Sequence, residues 1–426
     1  MIDFRELKTR HDEIALNIKN RNMNVDLDRV IELQDRRAVL MKNAEDLRAR
    51  RNEIAAQMKG PMDKAARDVL IEEGRTVKER IAAAEAELEE VESAYNAGLR
   101  AIPNYAHPKA PVGKEDKDNT AIKYVGKPPV FSFKPLDHVQ IGEKLDLIDF
   151  DTATRVSGPK FYYLKNEAVV LQMALERYAL DIVMKHGFKP FITPDVAKEE
   201  ILEGIGFNPR GAESNIYTVE GEGTALVGTA EITLGGYLAG KVLNASDLPM
   251  KMTGLSHCFR REAGGAGQYS KGLYRVHQFS KLEMFIFCLP QDSDAFHDEL
   301  LAVEEEIFSG LGLAYRVVDT CTGDLGAPAY RKFDIEAWMP GRGDGGEYGE
   351  VTSTSNCTDY QSRNLKIRYK TEDGKTEYVH TLNGTAVAVS RALVAVLENY
   401  QQEDGSIRIP EKLVPYTGFD VIKNHG

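Results

Sequence analysis

The sequence is poor in the residues that build metal clusters and covalent cross-links. Its 426 residues include four cysteines, Cys258, Cys288, Cys321 and Cys357, far apart and in no CxxC or Cys/His spacing. A disulfide framework and a structural zinc site are therefore not signalled, and the four read as reduced thiols. No apolar run reaches the roughly 18 residues needed to span a bilayer, and the opening MIDFRELKTRHDEI lacks the apolar core of a secretory signal. A cytoplasmic protein with no membrane partner is expected. Positive charge is also in deficit: 54 Lys and Arg against 66 Asp and Glu give a net charge of −12. That argues against a cation-coated surface for nonspecific nucleic-acid binding, so any RNA contact must be local. There is no Walker A loop, and the one GxGxxG match, Gly341 to Gly346, is followed by a strand-like segment rather than a helix. The common parallel-sheet nucleotide folds lose support.

What is present divides in two. From about residue 26 to 100, Leu33, Leu40, Leu47 and Ile54 recur every seven residues, and Leu70, Val77, Ala84 and Val91 form a second series interleaved with Ile81, Leu88 and Tyr95. This is a heptad seam, interrupted at Gly74. Lys59-Gly-Pro-Met-Asp63 lies between the runs, where Gly and Pro stop one helix and Asp63 caps the next. Two antiparallel helices of about 33 residues, an arm of about 50 Å, are predicted. Arg36, Arg37, Arg48, Arg50, Arg51 and Lys59 put cations along the arm among Asp35, Glu45, Asp46 and Glu53. A solvated, charged coiled coil and a phosphate-binding arm both remain open on these residues alone.

Ile102-Pro103-Asn104 ends the arm, and Pro108, Pro111, Gly113, Pro128, Pro129 and Pro135 make 105–135 read as a linker. Residues 136–426 mix helices, such as Phe161 to His186 and about 385 to 402, with β-rich segments near 250–290 and 330–370. Without a βαβα rhythm this predicts an α+β domain on an antiparallel sheet.

The most informative segment runs from Gly254 to Phe285: GLSHCFRREAGGAG, then GLYRVHQFSKLEMF. It reads as strand, Gly-rich loop, strand. Period-two alternation puts Arg260 with Glu262, and Arg275, His277, Phe279, Lys281 and Glu283 together. Such a face costs stability unless a polar ligand or an ion-pair network satisfies it. Phe279 and Glu283 stand about 13 Å apart along a strand, room for a stacked base at one end and a polar side chain at the other.

These residues resemble motif 2 of the seryl-tRNA synthetases, bacterial type, which are class II aminoacyl-tRNA synthetases. Thr229-Ala230-Glu231, Glu350-Val-Thr-Ser-Thr-Ser-Asn-Cys-Thr-Asp359, and Leu382-Asn-Gly-Thr385 with Arg391 resemble that family's serine-binding segment, the strand before motif 3, and motif 3. The hairpin and the IPN extend the resemblance over nearly the whole chain. It implies an antiparallel class II catalytic domain at 136–426 behind an N-terminal arm at 1–104 that binds tRNA. It also implies activation of L-serine with ATP to seryl-adenylate, then transfer to a serine tRNA, with a selenocysteine tRNA left open as a second substrate. Thr229, Ala230, Glu231, Glu283, Asn383 and Thr385 would bind serine together with Arg260. Arg260 and Arg391 would be catalytic: Arg260 bridges the serine carboxylate and the α-phosphate, and Arg391 holds the γ-phosphate. Phe279 would stack on adenine and Glu262 read its amino group, with Arg261, Val276, Val351 and Thr352 completing the ATP site. Glu350 and Ser353 would hold Mg²⁺, although plain strand alternation puts them on opposite faces unless a bulge intervenes. A homodimer is implied too.

The chain departs from the family's pattern at Gly204-Ile-Gly-Phe-Asn-Pro209, at Gln268, Tyr269, Ser270 and Lys271, at Ser390, and in a small turn insertion at Asp344-Gly-Gly346. None removes a group the reaction needs. An enzyme loading a carrier protein should lack the hairpin, and an inactive RNA-binding paralogue should have lost Arg260, Glu283 or Arg391. The chain keeps all of these.

Overall fold

Acidic caps open both long helices of the N-terminal unit. Asp26 accepts the backbone N–H of Arg29 at 2.9 Å and Asp63 that of Ala66 at 2.8 Å, each satisfying a donor with no partner inside its own helix. The computed structural model describes residues 1–208, 214–262 and 270–424, and the chain divides into two compact units, 1–103 and 104–426. In the first, α1 spans His11–Asn20, α2 Leu27–Gln57 and α3 Lys64–Ala101. Phe4–Glu6 is a single 3₁₀ turn ahead of α1.

The α2–α3 seam is the predicted one. Leu33, Leu40, Ala44, Leu47 and Ile54 of α2 are buried, as are Val77, Ile81, Ala84 and Tyr95 of α3. Gly74 interrupts the heptad beside Ile54, whose methyl lies 3.7 Å from the position a Cβ would take, an ordinary contact distance. The arginines that made α2 look like a phosphate ladder are engaged by α3. Arg36 pairs with Glu87, Arg37 with Glu92 at 2.7 Å, Arg48 with Glu85 at 2.7 Å and Arg50 with Glu73 at 2.7 Å. Arg37 also lies over the Tyr95 ring, 5.8 Å from its centroid, so a long cation replaces the missing seam residue. These partly exposed pairs set register more than stability.

In the second unit eight strands form one sheet among the described residues. They are β1 (Thr120–Val125), β2 (Lys189–Ile192), β3 (Met250–Phe259), β4 (Gln278–Cys288), β5 (Tyr315–Asp319), β6 (Arg331–Met339), β7 (Glu347–Asn356) and β8 (His380–Ala388). Their spatial order is β1-β5-β6-β7-β8-β4-β3-β2, antiparallel except where β2 runs parallel to β3 at one edge. The 105–135 segment, expected as a linker on its prolines, is part of this unit, because its residues 120–125 pair with β5. Proline marks where a chain cannot be helical, not where it leaves a domain.

Helices α4 (Glu167–Lys185), α6 (Ser293–Gly310) and α8 (Val389–Asn399) belong to the main apolar core, to which β4 contributes Leu282, Met284 and Ile286. A second cluster holds Phe285 and Phe287 with Ile232 and Leu234 of the short α5 (Glu231–Gly236) and Leu365 of α7 (Tyr360–Leu365). The alternating side chains of β4 thus feed two cores, with each buried Leu or Phe contributing about 1.5–3 kcal/mol. All four cysteines are buried and none is in a disulfide, and among the described residues no helix is long and apolar enough to cross a membrane.

Leu47 packs with Ile54, Val77 and Ile81 in the arm seam. Leu47→Ala is expected to destabilise the hairpin by about 2 kcal/mol or more. Hydrogen exchange should quicken across α2 and α3 while amides of the 104–426 unit keep their protection.

Candidate active site

Between the two cores the same strand turns polar. Phe279, Lys281 and Glu283 line a cavity of about 230 Å³, and Glu283 and Lys281 are 1% and 6% exposed. Two bulges shape it. On β8, Ala386 has no partner on β4, because Leu282 pairs with Val387 and Glu283 with Thr385. On β7, Val351 has none on β6, since Ile335 pairs with Thr352 and Glu336 with Glu350. The extra residue resets the alternation, so Glu350 and Ser353 both line the cavity.

One end gathers groups suited to a small polar ligand. Glu231 opens α5, and its backbone N–H donates to the hydroxyl of Thr229, one residue before the helix cap, at 3.2 Å, while Thr229 also lines the cavity. Glu231 Oε1 accepts from Gln361 Nε2 at 2.7 Å and from Asn383 Nδ2 at 2.9 Å. Gln361, fully buried, is in turn held by the Thr381 hydroxyl at 2.7 Å. Burial, and then the charge of Glu283, push the Glu231 carboxyl up to about 7. Glu283 Oε2 pairs with Lys281 and accepts the Thr385 hydroxyl at 3.3 Å.

The other end is rich in guanidinium groups. Arg260 donates from Nε to the Gly228 carbonyl at 3.1 Å, and its Cζ lies 5.4 Å from the Phe279 ring centroid. Glu262, at a left-handed φ of 48°, pairs with Arg275 at 3.2 Å. Such a conformation costs a non-glycine residue of order 1 kcal/mol and recurs where a side chain is aimed for function. Arg391 reaches both the side chain and the carbonyl of Glu350 at 3.1 Å. Burial alone would raise the Glu350 carboxyl, but Arg391 and Lys332 hold it at about 2.

Val276, Val351, Thr352, Asn383 and Thr385 also line this cavity. Two of the expected residues do not: Ala230 is fully buried beneath it, and Arg261 is exposed with its backbone bonded to Asn215. His277 is not in the lining either; β4 begins one residue later, and the ring sits between Phe161 and Tyr217. Pro209, Gln268 and Tyr269 lie outside the described residues, while Lys271 bonds Asp137 at 2.5 Å. Sequence reasoning left Lys281, Tyr274, Ser355 and Gln361 unassigned. Lys281 alone carried a readable signal, its place in the alternation of β4.

The chain matches the sequence model of the seryl-tRNA synthetase N-terminal domain over residues 1–106 and that of the tRNA synthetase class II core domain (G, H, P, S and T) over 217–400. It is 63% identical over 422 residues to a serine–tRNA ligase of Treponema denticola, spanning 99% of this chain and 100% of that one. The chain belongs to the seryl-tRNA synthetase family. It is 52% identical to the serine–tRNA ligase of Borreliella burgdorferi, with 99% of each covered. The crystal structure of seryl-tRNA synthetase from Pyrococcus horikoshii complexed with ATP superposes with a TM-score of 0.87 at 39% identity, over the whole of both chains. That of the cytoplasmic serine–tRNA ligase from Naegleria fowleri in complex with AMP gives 0.80 at 32%, covering 97% of this chain and 95% of that one. The antiparallel sheet is accordingly that of a class II aminoacyl-tRNA synthetase.

Beneath the cavity, Glu304 of α6 is fully buried, and neither carboxyl oxygen has a hydrogen-bond partner among the described residues. Its Oε1 lies 2.9 Å from where a Cβ on residue 384 would stand, so a side chain at Gly384 would displace the carboxyl. Burial, reinforced by the charge of Glu283, lifts this carboxyl well above 4.5. The native state therefore keeps a proton that the unfolded chain releases above about pH 4.5, and stability falls as pH rises through that window. Glu304→Gln should gain on the wild type by up to about 1.4 kcal/mol per pH unit above pH 5. Parallel melting-temperature curves for the two proteins between pH 5 and 8 would show that Glu304 is ionised in the native state.

Proposed function

We propose that this cavity carries out the family's reaction, ligation of serine to tRNA at the expense of ATP, with serine at the Glu231–Glu283 end and ATP along Arg260, Phe279 and Arg391. One observation carries the assignment: a carboxylate and hydroxyl pocket and a guanidinium and aromatic platform open into the same cavity, along one strand. Glu231 pairs with the α-ammonium. Glu283 and Thr385 take the hydroxyl, and alanine would leave them without that partner.

Arg260 draws the serine carboxylate and the α-phosphate together, lowering the repulsion between two anions. A carboxylate oxygen attacks the α-phosphorus, the bond to the bridging oxygen breaks, and pyrophosphate leaves. The terminal ribose hydroxyl of the tRNA then attacks the adenylate carbonyl and expels AMP. No side chain acts as a nucleophile, so positioning and charge are the protein's contribution. Phe279 stacks on adenine, Glu262 reads its amino group, and Arg391 takes the γ-phosphate.

Glu350 and Ser353, on either side of the β7 bulge, offer a low-pKa carboxylate and a hydroxyl to the same cavity, hard oxygen donors that fit Mg²⁺. Among the described residues no group of three His, Cys, Asp or Glu side chains could hold a metal, and with only two protein donors the β- and γ-phosphate oxygens of ATP would complete the shell. When bound the ion supplies positive charge to the leaving pyrophosphate. Arg51 and Lys59 are exposed on the arm and suit phosphate contacts with tRNA better than the arginines paired to α3. A homodimer is supported by one face of α4, where Val169, Val170, Met173 and Met184 are 36%, 36%, 62% and 46% exposed, and by Ile192 of edge strand β2, 91% exposed. Four cysteines outside any disulfide suit the reducing cytoplasm.

Pyrophosphate exchange into ATP should respond strongly to serine and weakly to threonine, alanine and glycine. Equal exchange with threonine sinks the pocket assignment. Arg260→Ala should lower exchange by a factor of about 100 or more. Residues 29 and 98 can be joined, because Gly98 packs against Val30 at the hairpin base, 2.7 Å from Cβ position to methyl. Deletion of 30–97 is expected to spare exchange and abolish tRNA charging; full charging by that variant would remove the arm from tRNA binding. The Michaelis constant for serine should climb as pH drops below about 7, where Glu231 takes up a proton, and Glu231→Gln should flatten that profile.

A further inference from the structure

Tyr274 stands against two guanidinium groups. Its ring centroid lies 4.8 Å from Arg391 Cζ and 4.9 Å from Arg342 Cζ, and its hydroxyl donates to the Glu350 carbonyl at 3.2 Å. Arg391 Nη1 donates to that same carbonyl at 3.1 Å. The ring is 6% exposed, too enclosed to drift, and its negative face offsets part of the repulsion between two cations brought to one side chain.

Three chain segments meet there, and one buried carboxylate ties them together. Glu398, on the helix that carries Arg391, accepts the backbone N–H of Gly341 at 2.8 Å, one residue before Arg342. It also holds His138 Nδ1 at 2.7 Å, and His138 Nε2 accepts the N–H of Leu273 at 3.1 Å, one residue before Tyr274. These bonds assign the proton of His138 to Nδ1. Glycine is required at both approaches. A Cβ at Gly272, which has φ +56°, would stand 2.2 Å from His138 Nε2, and one at Gly341 would stand 2.6 Å from Asp137 Cα. Gly349 leaves room for Arg342 itself, whose Nη1 would lie 2.8 Å from a Cβ there. The turn between β6 and β7 then bends back through Gly343 and Gly346, both at positive φ, and Arg342 pairs with Glu347 at 3.3 Å.

We propose that Tyr274 and Arg342 are positioning residues for Arg391, holding its guanidinium toward the triphosphate before ATP arrives. The inserted turn, which from the sequence looked inert, is the support that delivers Arg342 to the Tyr274 ring. A flexible arginine normally loses rotamer freedom when it grips an anion; here that loss has already occurred on folding. The inference rests on the assignment of Arg391 to the γ-phosphate.

Serine-dependent pyrophosphate exchange by the full-length protein, with ATP varied at saturating serine, tests it. Tyr274→Leu and Arg342→Gln should each raise the Michaelis constant for ATP roughly 3- to 30-fold while leaving that for serine within about twofold. Tyr274→Phe, which keeps the ring, should stay near wild type, and Tyr274→Leu should add nothing in an Arg391→Ala background. Arg342 is partly exposed, so Arg342→Gln remains informative if Tyr274→Leu lowers the melting temperature. If Arg391→Ala weakens ATP use and the two positioning variants do not, or if the double variant shows full additivity, the positioning role is wrong. Should Arg391→Ala itself leave ATP use intact, the triphosphate assignment falls first and this inference with it.

Discussion

Glu231, Glu283 and Lys281 are withdrawn from bulk water around one cavity, beside the partly exposed Glu350, which Arg391 meets at 3.1 Å. Charges so placed are tolerable only in compensated sets, since an isolated ion there would sacrifice several kcal/mol of hydration. Each carboxylate accordingly has a cation or an amide beside it, and the apolar cores on either side serve largely to keep those partners in register. Under the proposed function the compensation would also be the chemistry. Removing water makes every interaction with an incoming anion stronger, and donors fixed in advance need no reorganisation when charge moves.

How the polar face coexists with two apolar cores is a matter of strand geometry. A regular strand offers its side chains alternately to two faces, so β4 feeds Leu282, Met284 and Ile286 to one side and Phe285 and Phe287 to the other. Without the bulges at Val351 and Ala386, the same rule would separate Glu350 from Ser353 and change the pairing of Glu283 with Thr385. An extra residue in one strand costs a little ladder regularity and changes which side chains share a face. The site is assembled as much by these two irregularities as by the regular sheet around them.

The arm obeys a different economy. Its seam is narrow, and four arginines of α2 are committed to glutamates of α3. Ion pairs at the flank of a coiled coil fix alignment between helices that little else would hold in register. Arg51 and Lys59 lie outside those pairs and are exposed; under the proposed function they would meet tRNA phosphate, which would reconcile an acidic chain with an RNA substrate.

Much of this was legible in the residues themselves. The heptads, the Asp63 cap, the antiparallel α+β class and the polar alternation from Phe279 to Glu283 follow from spacing, because periodicity and capping are local. Three matters were decided only by tertiary structure, because each depends on residues far apart in the chain. Gln361 became a holder of Glu231, 130 positions away. The segment 105–135 joined the sheet through pairing with β5, against the reading its prolines suggested. The bulges, together with the meeting of Tyr274, Arg342 and Arg391, arise from the match between neighbouring strands and turns. A sequence shows what each segment prefers; it does not show which distant segment satisfies its charges and backbone donors.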